Sequence, residues 1–283
     1  VWLLLVPYLA GTALLVAVPA LMSAALAFTS YDALSPPTWV GFANFRALAA
    51  DPLTGIAFGN SLGYIVLAVP LRILGALGLA LLLERPRRGI GGYRAAAYLP
   101  TVIPDIAYAL VWLWAFNPLF GPVNGLLGAV GLPTPAWLAD ASTARFPFVV
   151  MSLFQIGEGF VILLAGLRNV PRDYHEAAAV DGAGPLARFR SLTLPLLLPW
   201  LVLLTFRDVI VSFQATFTPA YVMTGGDPYY ATLFLPLLIY EEAFDRFRFG
   251  QGSALMVLMF LATAGLLAAL YALFRRRWLV GDA

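Results

Sequence analysis

Apolar positions in this chain come in long unbroken runs, not in the alternation of a strand or the one-sided stripe of a surface helix. Runs at 2–28, 61–83, 93–116, 146–167, 196–223 and 253–274 each reach the roughly 20 residues that a helix needs to cross a bilayer core. Segments rich in proline, glycine and charge separate them. The pattern predicts an all-α polytopic membrane protein of about six transmembrane helices, a single transmembrane domain over 1–283. A seventh apolar run, 231–240, has only ten residues and contains Pro236. It is too short to cross and is expected at an interface or on the outer side. Twelve spans do not fit this length.

Composition agrees and removes several kinds of chemistry. Of 283 residues, 61% are hydrophobic and 11% charged, with a mean hydropathy of +0.85, outside the range of water-soluble domains. There is no cysteine, hence no disulfide framework, thiolate nucleophile or Cys-ligated metal. The single histidine, His175, argues against a His-rich metal site. All 17 basic residues are arginine, so the lysine of a phosphate-cradling P-loop is missing and no Schiff base can form. No catalytic or metal-ligating constellation is expected, and no cofactor. The arginines gather at helix ends instead of forming a nucleic-acid-binding face. Val1 leads straight into apolar sequence with no small-residue cleavage site, and is read as a truncated start, not a signal peptide.

Arginine placement orients the spans. Arg85, Arg87, Arg88 and Arg94 lie between spans two and three, Arg168, Arg172, Arg188 and Arg190 between four and five, and Arg275, Arg276 and Arg277 after six. These loops and both termini are expected on the cytoplasmic side. The opposite loops carry mixed charge and turn-rich stretches such as Gly225-Gly226-Asp227-Pro228. Trp39, Trp137 and Trp278 fall near the interfaces, where indole rings anchor at headgroup depth.

The segment 168–195 is polar but patterned. Asp173 is placed to cap a helix over 174–180, and Asp181-Gly182-Ala183-Gly184-Pro185 breaks it. A second short helix over 186–194 carries Arg188 and Arg190, before Pro195 and Pro199 open span five. The expected product is a helix–turn–helix on the membrane surface. Ala177, Ala178 and Ala179 allow a close backbone approach, and Glu176 can pair with a partner's arginine.

At these residues the chain resembles a known family. Glu176-Ala177-Ala178, Asp181-Gly182-Ala183, Phe189 and Leu194-Pro195 resemble the EAA coupling loop of bacterial ABC importer permeases, with Leu192 where the family usually has isoleucine. Gly41-Phe42-Ala43-Asn44-Phe45, Asn60-Ser61 and Met223-Thr224-Gly225-Gly226-Asp227-Pro228 are similar to segments of the carbohydrate branch, the maltose and glycerol-3-phosphate importers. Asp227 stands where that branch usually has a third glycine. The resemblance implies a subunit that docks on a separate ATPase dimer through Glu176, Ala177, Ala178, Asp181, Gly182, Ala183, Arg188 and Phe189. It also implies a second homologous permease, an extracytoplasmic solute-binding protein, and ATP with magnesium held in the partner ATPase.

Ionisable groups inside a bilayer cost roughly 2.5 kcal/mol or more at midplane. Arg72, Asp105, Glu158, Arg207 and Asp208 therefore face protein or water. One reading places Gln155, Glu158, Asp208, Ser212, Gln214 and Tyr221 along a sugar path walled by Phe213 and Phe217. The other pairs the charges between helices and lets Arg72 snorkel or pair. Pro19, Pro70, Pro100, Pro104 and Pro219 are candidate helix breaks. The alternative function is an ion-coupled secondary transporter built on Glu158 and Asp208, which leaves the patterned loop without a task. A membrane-embedded enzyme lacks its clustered acids or nucleophile–base pair.

Overall fold

The computed structural model describes residues 2–278. Four continuous helices within them are long and apolar enough to cross a membrane: Leu5–Leu26, Pro52–Leu83, Pro185–Met223 and Phe249–Arg275. Two bent pairs reach the same length and apolarity together, Ile90–Val102 with Asp105–Ala115 turned by 99°, and Phe146–Phe154 with Gly157–Arg168 turned by 47°, which gives up to six spans when each pair is taken as one. In chain order these are spans one to six: Leu5–Leu26, Pro52–Leu83, the 99° pair, the 47° pair, Pro185–Met223 and Phe249–Arg275. The expectation for Val1, and those for the side chains of Arg172, Arg276, Arg277 and Trp278, fall outside the described residues and side chains.

Each bend has a local cause. Ile103 is extended (φ −70°, ψ 130°) because Pro104 disfavours helical backbone in the residue before it. Span four breaks at Gln155 (φ −98°, ψ 33°) and resumes at Gly157. The two breaks meet. A Cβ on Gly157 would lie 2.8 Å from Tyr98 Cα and 2.9 Å from the Thr101 methyl, so only glycine permits this approach.

Two span starts differ from the hydropathy reading. Span two begins at Pro52 and not at residue 61, with Asp51 Oδ1 accepting from the Leu53 amide at 2.9 Å. Its first two turns mix polar with apolar residues, and an apolar run does not register them. Span five begins at Pro185, not at 196. Pro195 falls in the first turn after a π-bulge over Phe189–Thr193, and the bulge absorbs the missing donor without interrupting the helix. The second short helix is therefore the foot of span five.

The core is divided into two apolar clusters. Toward the end bearing residues 225–235, it gathers Ala57, Ile65, Phe148, Val209, Phe213 and Phe234. Toward the arginine-rich end, it gathers Ala76, Ala80, Phe160, Leu163, Leu197 and Leu204. Along spans two, four and five the charged residues Arg72, Glu158, Arg207 and Asp208 fall between the two clusters.

The short run at 231–240 forms no span of its own, and it is buried within the protein. Leu233, Phe234 and Leu235 are fully enclosed, and Leu235–Tyr240 forms a short helix packed on spans two and six. Span two holds it. Asn60 Nδ2 donates to the Tyr230 and Leu233 carbonyls at 2.8 and 3.0 Å, and the Leu235 amide donates to Ser61 Oγ at 2.8 Å. Arg145 in turn donates to Asn60 Oδ1 at 3.3 Å. Asn60 and Ser61 therefore act inside span two, not at its start. Gly41 takes φ +59°, and the nearby Asn44 ties back the chain after span one by donating to the Ala27 and Thr29 carbonyls. That stretch carries a two-stranded ribbon, Thr29–Ser30 against Thr38–Trp39. Trp137 stacks on Phe146 and donates to Asn124 at 2.7 Å, so it braces a loop within the protein. Trp39 remains largely exposed.

Candidate functional site: a charged cavity and an exposed loop

A cavity of about 220 Å³ opens between spans two, three, four and five, at the level where the two apolar clusters part. Gln155, Glu158, Arg207, Arg72 and Asp105 supply its polar wall, and Tyr64, Phe148 and Met151 its apolar one. The broken helices build it. The bend at Pro104 puts Asp105 in the first turn of the second half of span three, and the break at Gln155 puts Glu158 in the first turn of the second half of span four. Broken membrane helices with polar groups at the break are a recurring way to make a solute path.

Beneath the cavity the charges are paired. Arg72 donates to Asp208 Oδ2 through Nη2 at 2.9 Å and Nε at 3.1 Å, and to Ser212 Oγ at 3.3 Å. Both Arg72 and Asp208 are buried. Asp208 Oδ1 accepts from Arg207 Nη1 at 3.0 Å, and Arg207 also pairs with Glu158. One arginine thus joins a buried carboxylate to an exposed one, linking spans two, four and five. Arg72 pairs; it does not snorkel.

Of the expected path residues, Gln155 and Glu158 line the cavity. Asp208 lies behind it in a narrow cleft that also touches Arg72 and Arg207, and Ser212 is buried against Arg72. Gln214 is exposed away from the cavity. Tyr221 stacks on Phe217 and meets Tyr240, making a separate aromatic group, and Phe213 is core. Thr216 was not among the expected residues. It is 3% exposed, lines the cavity, and its hydroxyl has no hydrogen-bond partner. Its signal in the sequence is faint: a threonine three residues before Pro219, flanked by the polar Gln214 and Thr218.

At the arginine-rich end the segment between spans four and five stands out from the bundle. A helix runs Arg172–Val180 and stops at Gly182, which takes φ +81° as a left-handed C-terminal glycine does. The Ala183 amide donates to the Ala178 carbonyl at 2.9 Å, closing the turn. Pro171, and not Asp173, occupies the N-cap position, and no side chain caps it. Asp173 sits in the first turn, where its charge favours the helix dipole. Glu176, Ala177, Asp181 and Gly182 are exposed, Ala178 and Ala183 partly so, and Arg188 and Phe189 are half-buried at the foot of span five. Val180 is 89% exposed, an apolar side chain with no intramolecular cover.

Comparison with known proteins decides the family. The model of the binding-protein-dependent transport system inner membrane component matches residues 85–280. The chain belongs to this family. Its relatives include a probable ABC transporter permease, YesP of Bacillus subtilis, 34% identical over 89% of this chain and 83% of that one. The sn-glycerol-3-phosphate transport system permease UgpA of Yersinia enterocolitica is 33% identical over 94% and 90%. The trehalose/maltose transport system permease MalF of Thermococcus litoralis is 33% identical over 78% and 75%. The fold also matches the solved structure of a bacterial ABC transporter involved in the import of the acidic polysaccharide alginate, with a TM-score of 0.84 and 19% identity over 97% of this chain and 94% of that one. This permease is therefore a multi-pass membrane protein, and both the cavity and the exposed loop fall within the matched region apart from the contributions of span two.

Proposed function

We propose that this chain is the membrane subunit of an ATP-driven importer that passes a sugar or sugar-like solute, with hydrolysis performed by a separate ATPase dimer. One observation carries the reading. The exposed helix Arg172–Val180 joins, through Gly182 and Gly184, the foot of a helix that continues unbroken to the charged cavity. A docking surface and a polar path are thus two ends of one mechanical element. Glu176 with Ala177 and Ala178 would seat on the ATPase. ATP and magnesium would reside there, since this chain has no P-loop lysine.

The solute class rests on the relatives, among them permeases named for sulfoquinovosyl glycerol, glycerol-3-phosphate and trehalose or maltose, and on a cavity wall of carboxylate, amide, guanidinium and aromatic groups suited to hydroxyls. The arginine-rich end faces the cytoplasm in this reading, with both termini on that side. A second homologous permease completes the path, and an extracytoplasmic binding protein delivers the solute. The ion-coupled alternative was built on Glu158 and Asp208, and both are committed to arginines, which counts against that form of it.

The test is reconstitution in lipid with the ATPase and second permease, followed by ATP hydrolysis with and without Glu176→Lys. Loss of assembly and of stimulated hydrolysis is expected. Transport by the chain alone under an ion gradient, indifferent to the substitution, overturns the proposal.

A further inference from the structure

The arginines of the two polar loops do more than record topology. At the end of span two a second cavity, of about 410 Å³, lies between the 84–88 loop and the foot of span five. Arg85, Arg87 and Arg188 converge on it from these two elements, with Glu84 as the one carboxylate in its wall and His175 on its rim. Among the described residues none of the three guanidinium groups is in an ion pair, and Arg188 Nε is buried with no acceptor. A neighbouring cavity of similar size shares Glu84, Arg85 and His175 and adds Arg168. Orientation requires only that arginines be numerous on one side. It does not require them to face one cavity, nor to bury an N–H without an acceptor. A desolvated guanidinium donor left unpaired is costly, and the group that best satisfies several converging arginines is a phosphate, through charge-assisted and often bidentate bonds.

We propose that this cleft binds a phosphate-bearing anion that bridges Arg85 and Arg87 of the loop to Arg188 of span five. The ligand chemistry is a phosphodiester or phosphomonoester at the membrane surface. Leu82, 70% exposed on span two beside the cleft, offers an acyl chain a surface to lie on, as basic pockets between helices do for anionic headgroups. Occupancy would brace the foot of span five against span two.

The test uses the full chain, purified and delipidated. Phosphatidylglycerol and phosphatidylcholine are titrated with native mass spectrometry as readout, and inorganic phosphate with calorimetry. Phosphatidylglycerol or phosphate is expected to bind, and phosphatidylcholine to bind at least about tenfold more weakly. Arg188→Gln and the Arg85→Gln/Arg87→Gln pair should each weaken the anion about tenfold or more, and Arg188→Lys less. Arg46→Gln, exposed on the helix Ala43–Ala50 and remote in sequence from the cleft, should change nothing. Because Arg85 and Arg87 are exposed, their variant keeps the test independent of folding. Binding of phosphatidylglycerol alone identifies a lipid site and binding of phosphate alone a soluble-anion site. Equal binding of both lipids with no phosphate binding, or equal losses in Arg46→Gln and the cleft variants, overturns the proposal.

Discussion

Asp208 sits between two guanidinium groups of unequal standing, and this asymmetry gives a measurable prediction. Toward Arg72 the pair is enclosed, with side chains 8% and 5% exposed, and Asp208 Oδ2 takes two of the arginine's donors. Toward Arg207 the bond is single and the arginine is 35% exposed. Removing one side of a buried pair costs about 3–5 kcal/mol, because the remaining charge stays desolvated. An exposed pair contributes only about 0–1 kcal/mol after screening. Asp208→Asn and Arg72→Met should therefore each lower the unfolding free energy by about 3 kcal/mol or more. The double variant should fall short of their sum by at least about 2 kcal/mol, because neither charge is then left alone. Glu158→Gln, at the 47% exposed end of the network, should cost less than about 1 kcal/mol. Unfolding in mixed micelles with increasing SDS, followed by tryptophan fluorescence, measures all four. Additivity within about 0.5 kcal/mol, or a Glu158→Gln effect as large as that of Asp208→Asn, refutes the view that the buried arm holds spans two and five together.

Other expectations follow from the same geometry. Gly157→Leu pushes a side chain into the Tyr98 backbone and should destabilise by about 1–3 kcal/mol through overpacking, with loss of solute-stimulated ATP hydrolysis in the assembled importer. Asn60→Ala strips two carbonyls of their donor and should cost about 1–3 kcal/mol, with faster hydrogen exchange confined to residues 230–240. Thr216→Val, which removes a hydroxyl that has no partner in the protein, should leave stability within about 0.5 kcal/mol. It should raise the solute concentration needed for half-maximal stimulation severalfold; an unchanged value removes Thr216 from the path.

The sequence made the crossings legible because apolar run length is a direct reading of bilayer thickness, and all six runs lie on helices of the structure. It failed where a helix is specified by something other than apolarity. Asp51 caps span two ten residues before the apolar run begins, and Pro195 looked like a start while sitting beyond a π-bulge. The burial of Leu233–Leu235 was invisible because it depends on Asn60 and Ser61, more than 170 residues away in the chain. The same holds for the cavity. Gln155 and Glu158 could be chosen as polar residues on one helix, but that Asp208 would be turned away from the cavity by Arg72, 136 residues distant, is set by how the spans pack. The helix and turn between spans four and five were readable because their information is local: a glycine at positive φ ends the helix within a short stretch.

The run from Pro185 to Met223 has the proportions of a lever. Its 39 residues at 1.5 Å each make a rod of about 58 Å, and tilting it by about 10° around its middle moves each tip by about 5 Å in opposite directions. Arg207 and Asp208 lie just past the midpoint, near the fulcrum, where displacement is small, so the buried pair with Arg72 can survive a stroke that carries the loop end one way and the Tyr221 end the other.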